Sequence, residues 1–468
     1  MKTPSALSRR DLLASSLSIA ALMAANPVIA KAADPFDAVK DILARIKPPT
    51  FPKKDFPVSD FGAIADGVTD NTQAFAKAIA ACHEAGGGRV VVSPGKYATG
   101  PVHLKSNVNF HVAKGATLIF SRDPKAYLPL VYTRWEGVEC MNYSAQIYAD
   151  HVENVAITGG GTLDGQADCS HWWPWKGRTN CGWREGDVNQ FAGRAKLFDM
   201  AARDVPVEER LFGEGYYLRP NMIQICHSQN ILIEGLTMID SPMFEVNPVL
   251  CRNVTVRGIK INSHGPNNDG CDPDSCQDVL IEHCEFDTGD DCLAIKAGRN
   301  RDGRRVGVPS ENIVIRDCVM KDGHGGLTIG SEMSGNVRNV FIERCKLSSA
   351  NLDQALRFKT NAMRGGIIEH IYMRDIELGE VGKAILQIDF TYEEGDQGPE
   401  KPIVRNIWID RVHCKHAKVA LELRGFEASP IQDIHLSNCV FDRVDLPNVV
   451  EHVADLQIKN VKVNGKPM

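Results

Sequence analysis

DVLIEHC at Asp278–Cys284, NIVIRDC at Asn312–Cys318 and NVFIERC at Asn339–Cys345 are one seven-residue phrase written three times. An Asn or Asp opens it, apolar residues stand second and fourth, two polar residues follow, and Cys or an apolar residue closes it. NVAITGG at Asn154, NILIEGL at Asn230 and NVTVRGI at Asn253 carry the phrase upstream. HIYMRDI at His370, NIWIDRV at Asn406, DIHLSNC at Asp433 and DLQIKNV at Asp455 carry it downstream. After Asn230 the starts are spaced by between 22 residues (Asp433 to Asp455) and 36 (His370 to Asn406). Alternation of apolar positions marks a strand with one buried face. Strands that recur at such a period, with loops of varying length between them, stack as coils. The fold expected is all-β, a right-handed parallel β-helix (a single-stranded solenoid) with an N-terminal capping helix.

Cys284, Cys318, Cys345 and Cys439 all stand seventh in the phrase, so they read as small apolar rungs of an interior ladder. Stacking does not by itself supply disulfide geometry. Of the fourteen cysteines, only Cys169 and Cys181, in an irregular stretch, are left open as a pair. A second strand ladder follows the turns: DDCLAIK, GHGGLTIGS, DQALRFKT and GKAILQID. Polar motifs sit at its leading edges, so their side chains align along one long face.

Asn267-Asn268-Asp269 and Gly289-Asp290-Asp291 place Asp269 and Asp290 21 residues apart, one coil. Stacked coils lie about 4.8 Å apart, which gathers Asp269, Asp290 and Asp291. Paired carboxylates suit glycoside hydrolysis, in which one protonates the leaving oxygen and another activates water or attacks carbon. Gly323-His324-Gly325 comes one coil later and Arg357-Phe358-Lys359 one coil after that. These four blocks, in this order, resemble the polygalacturonase family of glycoside hydrolases, family 28. The opening from Asp60 to Asn71, the helical pattern Ala74 to His83 and GGGRVVVSPGKY resemble the start of pectin-degrading β-helix proteins. Asp70 is a candidate helix cap there.

The resemblance implies hydrolysis of α-1,4-galacturonosidic bonds in pectin, with inversion and with no metal or other cofactor. Carried over, Asp290 is the general acid, Asp269 and Asp291 hold the attacking water, and His324 tunes the acid. Asn267 orients the site, while Arg357 and Lys359 bind a substrate carboxylate; Lys296, which ends DDCLAIK, is a further candidate substrate-binding residue. Gly325 and Gly326 fit close approach of backbone to a sugar. Two departures stand out: Asn268 replaces the family's usual Thr, and Asn247 stands where many bacterial relatives have His. Both leave the exact sugar open, with rhamnogalacturonan an alternative. Two other readings compete: a calcium-dependent pectate lyase using Asp269, Asp272 and Asp274 as oxygen ligands, and a non-catalytic carbohydrate-binding β-helix.

A chain of 468 residues, 43% hydrophobic and 24% charged, with net charge −6 and pI near 6.2, is a poor nucleic-acid binder. The expected partner is a pectic polysaccharide or oligogalacturonide, met by a monomer without a membrane anchor. Ser8-Arg9-Arg10-Asp11-Leu12-Leu13, a small-residue apolar run from Ala14 to Ala25 and Ala30-Lys31-Ala32 read as a twin-arginine signal peptide over residues 1–32. The chain is therefore expected in the periplasm or outside a bacterial cell, with residues 33–468 as one catalytic domain. Residues 166–220 interrupt the rhythm with Trp172, Trp173, Trp175 and Trp183. They either pack against the outside of the solenoid or wall the cleft and stack a sugar. A second insertion, Gly298 to Pro309, holds four arginines and is read as a solvated loop or a lure for anionic substrate.

Overall fold

Every copy of the seven-residue phrase starts on a residue in the left-handed region, from Asn154 (φ 54°) through Asp278 (φ 56°) to Asp455 (φ 58°). The sixth position is left-handed as well, in His283, Asp317, Arg344, Asp375 and Arg411 among others. Asn and Asp bear that conformation best among residues with a side chain, which is why they open the phrase. Their amides then bond from coil to coil. Asn154 donates to Asn107 at 3.0 Å, Asn230 to Asn154 at 3.0 Å, Asn253 to Asn230 at 2.7 Å and Asn339 to Asn312 at 3.1 Å.

Between these corners the strands pair in parallel and in register. Val254, Val279, Ile313, Val340, Ile371, Ile407, Ile434 and Leu456 stack in one column. The computed structural model describes residues 34–468, and Ala38–Met468 form one unit, a right-handed parallel β-helix. The proposed signal peptide, residues 1–32, lies outside the described residues. No described helix is long and apolar enough to cross a membrane.

All fourteen cysteines are free, Cys169 and Cys181 included. Those at the seventh position turn inward, and each Sγ meets the carbonyl two residues back: Cys284 to Glu282 at 3.2 Å and Cys318 to Arg316 at 3.3 Å. The helix Thr72–Glu84 buries Ala74, Phe75, Ala78, Ile79 and Cys82 against the first coils, with Phe75 5.8 Å from Phe110. The N-cap position is Asn71, and Asp70, one residue earlier, accepts from the Thr72 N–H at 2.9 Å.

The insertions pack more tightly than a solvated loop would. Residues 166–220 fold into short 3-10 helices, Trp173–Lys176 and Thr179–Cys181, and the α-helix Phe191–Ala202. Trp172 and Trp175 pack on each other and on Tyr127, Tyr143 and Tyr217, so these aromatics are used within the protein. The arginine-rich insertion forms the helix Asn300–Val306, and its arginines have partners: Arg299 on Glu332 and Glu393, Arg301 on Asp204, Arg304 on the Met363 carbonyl, Arg305 on Glu139 and Asp302. Arg301 ties one insertion to the other.

Candidate active site

A column of leucines positions the site. Leu293, Leu327, Leu356, Leu386 and Leu421 stack on successive coils with their side chains inside. Asp290 and Asp291 precede the first of these, His324 precedes the second, and Arg357 and Lys359 follow the third. The chain enters each strand at the same edge, so the four motifs meet at one cleft of about 200 Å³. Asn267, Asp269, Asp290, His324, Lys296, Arg357 and Lys359 line it, and Asp291 lies buried beneath.

Asp269, Asp290 and Asp291 each bring a carboxylate oxygen within 4.8 Å of the others. Asp290 is the one that reaches the open cleft: its side chain is 17% exposed, against 4% for Asp269 and 0% for Asp291. His324 Nδ1 meets Asp290 Oδ1 at 3.0 Å, and the Asn267 amide approaches Oδ2 at 3.5 Å. The Asn267 carbonyl oxygen is in turn held by Lys176 at 2.7 Å and Arg219 at 2.8 Å, which fixes the amide toward Asp290. Lys359 contacts Asp291 at 2.5 Å and Arg357 does so at 3.5 Å, while Arg357 also donates to Gln387 at 3.2 Å. The ring of Tyr392 lies 5.5 Å from the Lys359 ammonium and 5.9 Å from the Arg357 guanidinium.

Lys296 lines the floor of this cleft. Its ammonium lies 3.3 Å from Glu332, 3.4 Å from Asp272 and 3.5 Å from Asp269, and its side chain is almost wholly buried. The contacts of Lys296 in this structure are internal, because three carboxylates surround its charge. The same geometry removes the calcium reading: Lys296 stands between Asp269 and Asp272, and Asp274 is taken by Arg134 at 2.7 Å and the Gly298 N–H at 2.9 Å.

These contacts divide the carboxyls into two kinds. Burial, then the negative charges of Asp272 and Asp290, raise Asp269 well above the usual carboxylate range despite Lys296. Burial pushes Asp272 up to about 7, again against Lys296. Asp290 is driven the other way, because the His324 hydrogen bond and the charges of His324, Lys359 and Lys176 outweigh its burial. His324 is correspondingly raised, first by that hydrogen bond and then by the charge of Asp290. The surroundings thus favour the protonated form of Asp269 and the ionised form of Asp290, the kind of separation that acid and base chemistry uses.

Asn268 and Asn247, the two departures, both serve the scaffold. Asn268 accepts from the Gly265 N–H at 2.5 Å and donates to the carbonyls of Ser241 and Met243 at 2.9 and 2.8 Å, pinning the loop that carries Asn267 and Asp269. Asn247 is buried, bonded to Asn221, Gln224 and the Asp272 carbonyl. Gly325 is required by the protein itself, since a Cβ there would lie 2.1 Å from Thr328 Oγ1 and 2.8 Å from Asp291 Oδ1. Gly326 faces inward, where a Cβ would meet Leu347 at 2.2 Å.

Sequence reasoning missed several residues of the cleft. Glu136 comes from the turn of an antiparallel hairpin, Val131–Trp135 with Val138–Asn142. Tyr392 and Glu393 come from the loop after the strand Ile367–Asp389. Arg194 pairs with Glu136 at 2.7 Å and with Glu393 at 3.3 Å, closing that side. Glu332 had one available sign, an acidic residue directly after GHGGLTIGS; the others lie in aperiodic segments.

Comparison with known proteins accords with this geometry. The family model for glycosyl hydrolases family 28 matches residues 214–465, and one described as rhamnogalacturonase A/epimerase, pectate lyase-like matches residues 56–115. A probable polygalacturonase of Vitis vinifera is 29% identical over 394 residues, spanning 81% of this chain and 72% of its own. The crystal structure of a hyperthermoactive exopolygalacturonase from Thermotoga maritima is 44% identical, with a TM-score of 0.89, covering 92% of this chain and 96% of its own.

Proposed function

The chain belongs to family 28 of the glycosyl hydrolases, and from that membership we propose that it hydrolyses α-1,4-galacturonosidic bonds of pectin, removing units from a chain end. The observation that carries the reading is the meeting, in one cleft, of three carboxylates with Arg357 and Lys359, cations suited to a uronate. Asp290, the exposed carboxyl, is the general acid, and Asp269 with Asp291 holds the attacking water. A proton resting on Asp269 is moved to Asp290 by substrate: a uronate carboxylate at Lys359 cancels one of the charges that keep Asp290 ionised. Asp290 then protonates the glycosidic oxygen as the C–O bond breaks. Water attacks the anomeric carbon and gives its proton to Asp269, which restores the starting state. His324 and Asn267 hold Asp290 in place, and Lys296 steadies Asp269 from behind.

End-wise attack is supported by Arg194 and Arg299 from the two insertions, Glu393 from the Tyr392 loop and Glu136 from the hairpin turn, which close one side of the groove, and by the likeness to the Thermotoga maritima enzyme. The reading also includes a monomer exported to the bacterial periplasm or beyond by the twin-arginine signal at Arg9-Arg10. The test is chromatography of products from oligogalacturonides and rhamnogalacturonan in excess chelator. Monogalacturonate at the earliest times, with slow loss of viscosity on polymer, is expected. A spread of oligomers with rapid viscosity loss overturns the end-wise mode, and turnover of rhamnogalacturonan alone overturns the substrate.

Arg357→Ala should weaken binding of oligogalacturonides by about 10- to 100-fold, the worth of one charge-assisted contact, and that of a carboxyl-reduced analogue far less. Inhibition constants for the two ligands check it. Equal losses on both would assign Arg357 to the scaffold.

A further inference from the structure

Two hollows meet above Asp290. One is the cleft already described; the other, of about 180 Å³, is bordered by Trp173, Asn180 and His264. Asn267, Asp290, His324, Lys176 and Arg178 border both. A glycosidic bond placed over Asp290 has one ring on each side, so each hollow takes one sugar.

The cations of the second hollow are almost all engaged. Lys176 is bonded to Asn267 at 2.7 Å, His264 lies 3.1 Å from Asp287, and His324 is held by Asp290. Arg178 differs. Its guanidinium is exposed, and among the described residues no hydrogen bond or ion pair holds it. Its backbone is nevertheless fixed, because its carbonyl accepts from the N–H groups of Cys181 at 3.0 Å and Trp183 at 3.2 Å. A planar guanidinium on an anchored backbone, with no partner among the described residues, suits two-point contact with a carboxylate.

We propose that Arg178, supplied by the 166–220 insertion, binds the carboxylate of the second uronate, the sugar across the scissile bond from the one held by Arg357 and Lys359. The proposal rests on the galacturonan reading above and adds its specificity: two acidic sugars in succession, each read by its own cation. A neutral neighbour would leave Arg178 without its contact. Arg178 thus makes the insertion part of substrate selection, although the insertion carries none of the four motifs.

Digalacturonate and two half-neutral analogues test this, each analogue having one carboxylate replaced by hydroxymethyl. Cleavage of longer oligogalacturonides by the wild-type protein is measured first, and its absence sinks the galacturonan reading before any variant is made. Dissociation constants are then measured by calorimetry in the Asp290→Asn background, so that no ligand is consumed. Arg178→Ala should weaken digalacturonate by about 10- to 100-fold, and Arg178→Lys should recover most of that. The penalty of Arg178→Ala should vanish with one half-neutral analogue and that of Arg357→Ala with the other. Dependence of both variants on the same sugar, or an undiminished affinity of Arg178→Ala for digalacturonate, overturns the proposal while leaving the galacturonan reading intact.

Discussion

Asp290→Asn is expected to lower kcat by about 10²- to 10⁴-fold, the usual contribution of a positioned acid or base, with no loss of folded structure. The amide keeps the size of the carboxyl and can still accept from the Asp291 N–H, now 3.1 Å away, and from His324. What it lacks is the proton to give and the negative charge. The second loss has its own readout, because the Asp290 hydrogen bond is the largest cause of the raised His324 pKa. In the variant the imidazole should titrate closer to its ordinary value of 6.5, seen by NMR of the ring protons. Turnover within a few-fold of wild type would remove Asp290 from the role of acid. A collapsed turnover with unmoved His324 titration would detach His324 from it.

The coils were legible because the fold writes itself into a short period. A left-handed corner selects Asn or Asp, and a one-sided strand selects alternation, so Asn312 and Ile313 with Ile315 announce a coil without any alignment. The motifs were legible for the same reason, since stacking converts sequence distance into adjacency. Glu136, Tyr392, Glu393 and Arg299 were not. They reach the cleft from a hairpin turn and from loops, where no period relates position to place, and their contacts span long separations, as between Arg299 and Glu393. For the arginine run from Arg299 to Arg305, read as a solvated loop or a lure for anionic substrate, composition cannot show that Asp204, Glu139 and Glu332 wait for it elsewhere. Lys296 is named with the substrate-binding residues from the sequence, and what its position could not show is that three carboxylates on other coils surround it.

Lys296 supports the second large effect. Lys296→Met should destabilise the protein by about 3–5 kcal/mol, the range for removing one partner from a buried ionic cluster. The ammonium is the common neighbour of Asp269, Asp272 and Glu332, all buried, and it lies 4.8 Å from the ring of Phe244. Methionine fills the apolar part of that space but leaves Asp269 and Asp272 without their cation, while Glu332 keeps Arg299. The loss should depend on pH, and its sign follows from Asp272. Its folded pKa of about 7 exceeds the ordinary 3.8, so the folded protein binds more protons than the unfolded chain between those values, and stability falls as pH rises through that window. Lys296 lowers the pKa of Asp272. Without it the upper edge moves above 7, and stability continues to fall where the wild type has levelled off. The drop in Tm should therefore be larger at pH 8 than at pH 5, when both proteins are melted side by side. Lys296→Arg, which keeps the charge, should recover part of it. Activity should fall with stability, because Asp269 loses the cation that offsets its burial and ionises less readily as a base. A Tm difference that is the same at both pH values would show that the lysine contributes packing alone, and the ionic role argued for it would fail.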